Sequence, residues 1–87
     1  MYEHTLADLI SLALEATHMG CMYFFDYVEV SSDGKQAWAC WVGEDGTEHI
    51  QCHIDINYVD GFFETIDVWS VAGDGGKGAF YGTLPLL

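Results

Sequence analysis

From Cys21 onward, short runs rich in aromatic and β-branched residues are broken at regular intervals by Gly and Asp, and that rhythm restricts the chain to antiparallel strands joined by tight turns. Strands are expected near 21–30, 36–42, 47–57 and 62–71. Ser32-Asp33-Gly34-Lys35 and Gly43-Glu44-Asp45-Gly46 read as hairpin turns, because Asp and Gly tolerate positive φ. Asn57 to Gly61 forms a third turn. Gly73-Asp74-Gly75-Gly76-Lys77-Gly78 reads as a flexible loop, after which 79–84 adds a short edge strand that Pro85 stops.

One helix precedes this meander. Thr5 can cap a helix reaching Met19, with Asp8 at the answering position and Gly20 as terminator. His4, Asp8, Ser11, Glu15 and His18 fall in a narrow polar stripe, whereas leucine, isoleucine, alanine and methionine fill most of the remaining circumference. Such a helix needs burial on more than one side. At 87 residues there is room for one core. The expected architecture is therefore α+β, a single domain over 1–87 with one N-terminal helix packed on an antiparallel β-meander of four to five strands.

The strand faces are uneven. In the third strand Ile50, Cys52, Ile54 and Ile56 point one way while Thr47, His49, Gln51, His53, Asp55 and Asn57 point the other, the alternation of a strand with one wet face. In the first strand Met22, Phe24, Val28 and Val30 oppose Cys21, Tyr23, Phe25 and Tyr27, so both faces are largely apolar. One short helix cannot cover both. A second cover is expected from a homodimer face, from the tail Phe80-Tyr81 and Leu84-Pro85-Leu86-Leu87, or from a partner protein.

Charge narrows the function classes. Fourteen carboxylates stand against two lysines and no arginine, for a formal net charge of −12. The surface repels nucleic acid and anionic membrane and attracts basic clefts, including those that hold DNA or RNA. The acids are spread from Glu3 to Asp74 among many aromatic residues, so they decorate a folded protein instead of forming an acidic disordered tail. Three cysteines without paired spacing read as reduced thiols of a cytoplasmic protein. The first residues carry acids where a secretory signal has basic residues, and Asp8 and Glu15 interrupt the apolar stretch, so neither a signal peptide nor a membrane span is expected.

No reaction is legible. Gly73 to Gly78 formally matches GxGxxG, but only nine residues follow it, too few for the helix and distant acid of a dinucleotide fold. Gly78 stands where a Walker loop needs Ser or Thr. His49 and His53 would lie about 13 Å apart on one strand face, too far to share a metal ion. The turn acids lack the alternating spacing of a calcium loop. Cys40, His49 and Asp55 make a nucleophile set on paper only. The expectation is a non-enzyme with no cofactor and no metal.

The acids themselves remain. Asp26, Glu29, Glu48, Asp55, Glu64 and Asp67 would combine across neighbouring strands, with Asp33, Glu44, Asp45, Asp60 and Asp74 extending the field from the turns. The residues expected to touch a partner are Glu44, Asp45, Glu48, Asp55, Asp60, Glu64, Asp67 and Asp74, with Trp69 or Tyr58 as the desolvated anchor. In size, acidity and one-helix meander the chain resembles the small acidic phage-encoded anti-defence proteins, among them anti-CRISPR inhibitors and DNA mimics. That resemblance implies a cofactor-free inhibitor, acting in the host cytoplasm, that fills the basic channel of a nucleic-acid-binding protein or nucleoprotein effector. The alternative is a structural or assembly protein that closes a homo-oligomer through an apolar sheet face. Crowded carboxylates would also raise the pKa of those acids in the folded state, so that stability rises as pH falls through that range.

Overall fold

The computed structural model describes residues 5–16 and 25–86. It is an α+β fold in which helix α1 (Leu6–Glu15) packs on one face of a sheet made from β1 (Tyr27–Val30), β2 (Gln36–Val42), β3 (Glu48–Val59), β4 (Phe62–Val71) and β5 (Lys77–Pro85). The five strands are ordered β1-β2-β3-β4-β5 and every neighbouring pair is antiparallel. The expected meander is what forms. The parts of the expected helix and first strand at 17–24 lie outside the described residues.

Local chemistry explains where elements begin and end. Thr5 is extended at the N-cap and its hydroxyl accepts the Asp8 N–H at 3.2 Å, so one orphan amide of the first turn is satisfied. The hairpins β2–β3 and β4–β5 share one construction. Gly43 N donates to Thr47 O at 2.8 Å and Ala72 N to Gly76 O at 2.8 Å, each closing a three-residue loop whose Gly46 or Gly75 takes positive φ. Within these loops Asp45 Oδ1 accepts from Thr47 N and Asp74 Oδ1 from Gly76 N, both at 2.9 Å. The segment expected to be a flexible loop at 73–78 is thus a tight hairpin, and β5 starts at Lys77. Gly78 has a packing reason of its own, since a Cβ there would sit 2.4 Å from Ser70 Oγ.

The third turn is tighter than expected. Strand β3 runs on to Val59, and only Asp60 (φ 51°) and Gly61 (φ 84°) connect it to β4. Two central residues with positive φ define the turn that matches strand twist, which favours Asp-Gly. Gly61→Ala is expected to cost about 1–2 kcal/mol from the left-handed backbone alone, read as a lower denaturation midpoint with unchanged m-value. Asp60→Asn, which tolerates the same φ, should leave that midpoint close to its original value.

The core lies between α1 and the sheet. Ile10 and Leu14 from the helix meet Ala37, Ala39, Cys52, Ile54, Ile56, Ile66 and Val68, with Leu86 completing the cluster. Cross-strand pairing places Ile54 opposite both Ala37 and Val68, and Ile56 opposite Ile66, which faces Leu84. Alanines at 37 and 39 leave room for the helix. The tail packs on the helix side, not on the opposite face where a second cover is expected: Leu86 is buried and Leu84 packs on the core, while Phe80 and Tyr81 stay exposed. A bulge alters one face assignment. Between Ala39 and Cys40 the β2–β3 register slips, so Cys40 pairs with Ile50 in place of Gln51, and Ile50, expected with the core isoleucines, is 41% exposed.

Candidate partner-binding surface

Because side chains alternate along each strand, the residues between the core positions form a second, open face. The register aligns them into rows. Glu29 lies opposite Trp38, Trp38 opposite His53, His53 opposite Trp69 and Trp69 opposite Phe80, a line across all five strands. Beside it runs Gln36, Asp55, Asp67 and Thr83. Among the described residues the helix packs on the other face of the sheet, and Lys77 and Phe80 lie against Trp69 on this one.

The centre of the face is tied down by polar contacts. Lys77 Nζ reaches both oxygens of Asp55 at 2.7 and 2.6 Å and lies 5.5 Å from the centroid of the Trp69 ring, a charge-assisted bond combined with a cation–π contact. Phe80 packs against Trp69 with centroids 4.9 Å apart. Thr83 Oγ1 donates to Asp67 Oδ1 at 2.6 Å, and His53 Nε2–H donates to Gly75 O at 2.8 Å. Among the described residues the buried Trp69 Nε1 has no hydrogen-bond partner, although a buried indole N–H ordinarily finds one.

A recess opens at the β1–β2–β3 end, with a volume of about 220 Å³ and walls from Tyr27, Glu29, Trp38, Cys40, Glu48, His49 and Ile50. The Tyr27 hydroxyl donates to Glu48 Oε1. That bond, with a smaller contribution from burial, pushes the phenol well above its ordinary range. The Cys40 thiol is pushed up as well, mainly by burial and further by the charges of Glu29 and Glu48. The bulge is what turns Ile50 towards this recess. It also breaks the expected alignment of the two histidines: His49 stacks on Trp41 at 4.2 Å while His53 sits in the central row.

The acids expected to contact a partner do not gather in one place. Asp55, Asp67 and Trp69 share the open face, with Asp55 directly opposite Asp67. Glu44, Asp45 and Glu48 surround the β2–β3 turn, and Asp74 occupies the β4–β5 turn at the same end of the sheet. Asp60 and Glu64 belong to the opposite end. Tyr58, the other expected anchor, donates its hydroxyl to Gly34 O at 2.7 Å and braces the β1–β2 turn. Glu29 is among the acids expected to combine across strands; Tyr27 shares its face by alternation along β1, whereas Trp38 is brought beside it by register, which no local pattern reveals. A second concavity, about 460 Å³, lies between α1 and β5 and is lined by Leu9, Leu12, Ala13, Ala16, Leu84, Pro85 and Leu86.

Two turn acids show opposite behaviour from the expected repulsion. Asp33 is held below its ordinary value by the Ser31 hydroxyl and then by the Lys35 N–H, and Asp45 by the Thr47 N–H and hydroxyl. A carboxylate whose folded pKa is depressed contributes stability above its unfolded pKa, near 3.8 here, and loses it as pH falls through the folded value. The contribution of these two turn acids to stability should therefore fall on acidification below that range. Asp33→Asn with Asp45→Asn, which keeps an acceptor oxygen but not the charge, is expected to flatten the acid limb of a denaturation-midpoint profile. Comparison with protein-family models, with curated proteins and with solved structures finds no match.

Proposed function

We propose that this chain is a non-catalytic acidic binding protein that occupies the basic nucleic-acid-binding surface of a partner, as an anti-CRISPR-like inhibitor or DNA mimic. One observation carries the reading: the open face presents an aromatic row flanked by Glu29, Asp55 and Asp67, continuous with an acid-rich end at Asp26, Glu44, Asp45 and Glu48. Of the two cations in the chain, Lys77 is already bound to Asp55. Carboxylates of this density steer a basic partner towards the face, and desolvated aromatic side chains then provide the short-range hold. The expected setting is the cytoplasm in which such an effector works, and no described helix is long and apolar enough to cross a membrane.

The test is capture of a nucleic-acid-binding protein that is retained at low salt and released at high salt, followed by titration of its nucleic-acid binding. Loss of that binding at one equivalent of the chain supports the reading. A captured protein that still binds its nucleic acid in the presence of excess chain overturns it. The alternative, self-assembly, draws on the α1–β5 groove, where Leu12 is 52% exposed, instead of on the first-strand face. A dimer in light scattering that dissociates on Leu12→Glu would support it.

A further inference from the structure

We propose that the recess at the β1–β2–β3 end receives an arginine side chain of the partner, with the guanidinium against Trp38 and paired with the carboxylates of Glu29 and Glu48. This deepens the reading above and rests on it for the identity of the partner as a basic protein. The cavity of about 220 Å³ admits one long side chain and is smaller than the roughly 300–1,000 Å³ of drug-sized ligand pockets. Its chemistry is specific. Register sets Glu29 directly opposite Trp38 and both line the recess, so a flat cation lying on the ring would have a carboxylate within reach. Glu48 enters from the neighbouring side of the recess, where the Tyr27 hydroxyl fixes one of its oxygens. A carboxylate offers about four lone-pair sites, so that bond orients Glu48 without exhausting it.

Among the described residues the recess carries two carboxylates with His49 as the titratable base in its wall. No lysine lines it; Lys77 is bound to Asp55, and Lys35 belongs to the β1–β2 turn at the other end of the sheet. Glu29 and Glu48 both line the recess beside the buried Cys40 thiol. Arginine fits better than lysine because its planar fork stacks on an aromatic face and bonds carboxylates through several N–H groups at once, and it is more weakly hydrated. A metal ion fits poorly: the described residues contain no group of three side chains placed to hold one.

The experiment follows the Trp38 indole N–H by NMR, assigned with Trp38→Phe, during titration with N-acetyl-arginine amide, its lysine counterpart and the uncharged citrulline analogue. The expected result is a saturable, millimolar-range shift at Trp38 with the arginine probe, weaker with lysine and absent with citrulline. Glu29→Gln with Glu48→Gln should abolish it, while Asp67→Asn on the same face should not. Linear shifts of equal size at Trp38, Trp41 and Trp69, equal responses to lysine and arginine, or a saturable shift that survives the double substitution would each overturn the inference. Near-ultraviolet circular dichroism of the double variant confirms that the fold is intact. If the probe is silent while salt-labile capture and inhibition persist, the arginine recess fails and the inhibitor reading stands. If inhibition fails while the probe binds, the reverse holds.

Discussion

Ile66→Ala is expected to remove about 2–5 kcal/mol of folding stability, a large part of the roughly 5–15 kcal/mol that a domain of ordinary stability possesses. Ile66 has no exposed surface and stands opposite Ile56 on one side and Leu84 on the other, under the helix residues Ile10 and Leu14. Truncation loses the transfer free energy of the removed methyl and methylene groups and leaves a void that flanking strands cannot close, because backbone hydrogen bonds to β3 and β5 hold β4 at fixed spacing. Ile54→Ala should cost a similar amount for the same reasons. Val59→Ala is the control: Val59 is 48% exposed, and surface substitutions of this type usually stay within about 0.5 kcal/mol. Urea denaturation of the three variants measures the difference directly. If Ile66→Ala moved the midpoint no more than Val59→Ala, the helix would not be packed on this face.

The strands were legible where both ends carried turn chemistry. β2 and β4 fall where the aromatic and β-branched runs stop at Gly and Asp, at 36–42 and 62–71. β3 was the harder strand. Its isoleucines and cysteine keep a period of two from Ile50 to Ile56, yet the bulge at Gln51 moves Ile50 out of the core set. A bulge costs one unpaired residue and leaves composition untouched, so periodicity cannot register it. The glycine-rich run at 73–78 misled for a related reason. Asp74 and Gly75 perform the same turn chemistry as Asp45 and Gly46, but the surrounding glycines resemble a flexible linker.

The candidate surface was legible in kind and illegible in place. Acidity and spare aromatic groups announced a charged, sticky face, and Asp55, Asp67 and Trp69 do meet on it. The partners of Trp69 in its row, Glu29, Trp38 and His53, come from three other strands, and only cross-strand register says which residues become neighbours. The same register separates Asp60 and Glu64 from the rest by the length of the sheet. Capping chemistry removes further acids from the simple picture, because the carboxylates of Asp33, Asp45 and Asp74 accept hydrogen bonds within their own turns.

That separation of acids permits a decisive comparison of two charge-reversal pairs. Glu29→Lys with Glu48→Lys and Asp60→Lys with Glu64→Lys change net charge by the same amount, so any loss of affinity due to overall field is equal in the two double variants. Long-range attraction acts mainly on the association rate and is screened by salt. Short-range pairing acts on dissociation. Close interfacial charge pairs are worth about 1.5–7 kcal/mol each in double-mutant cycles, so reversing the recess pair is expected to weaken capture of the basic partner more than tenfold beyond the other pair, with the excess in the dissociation rate. The excess should also persist at a salt concentration where the association rates of both variants have converged. Surface plasmon resonance on the captured partner reads both rates. Equal losses for the two pairs, confined to association, would mean that the partner senses only total charge and that the open face makes no specific contact.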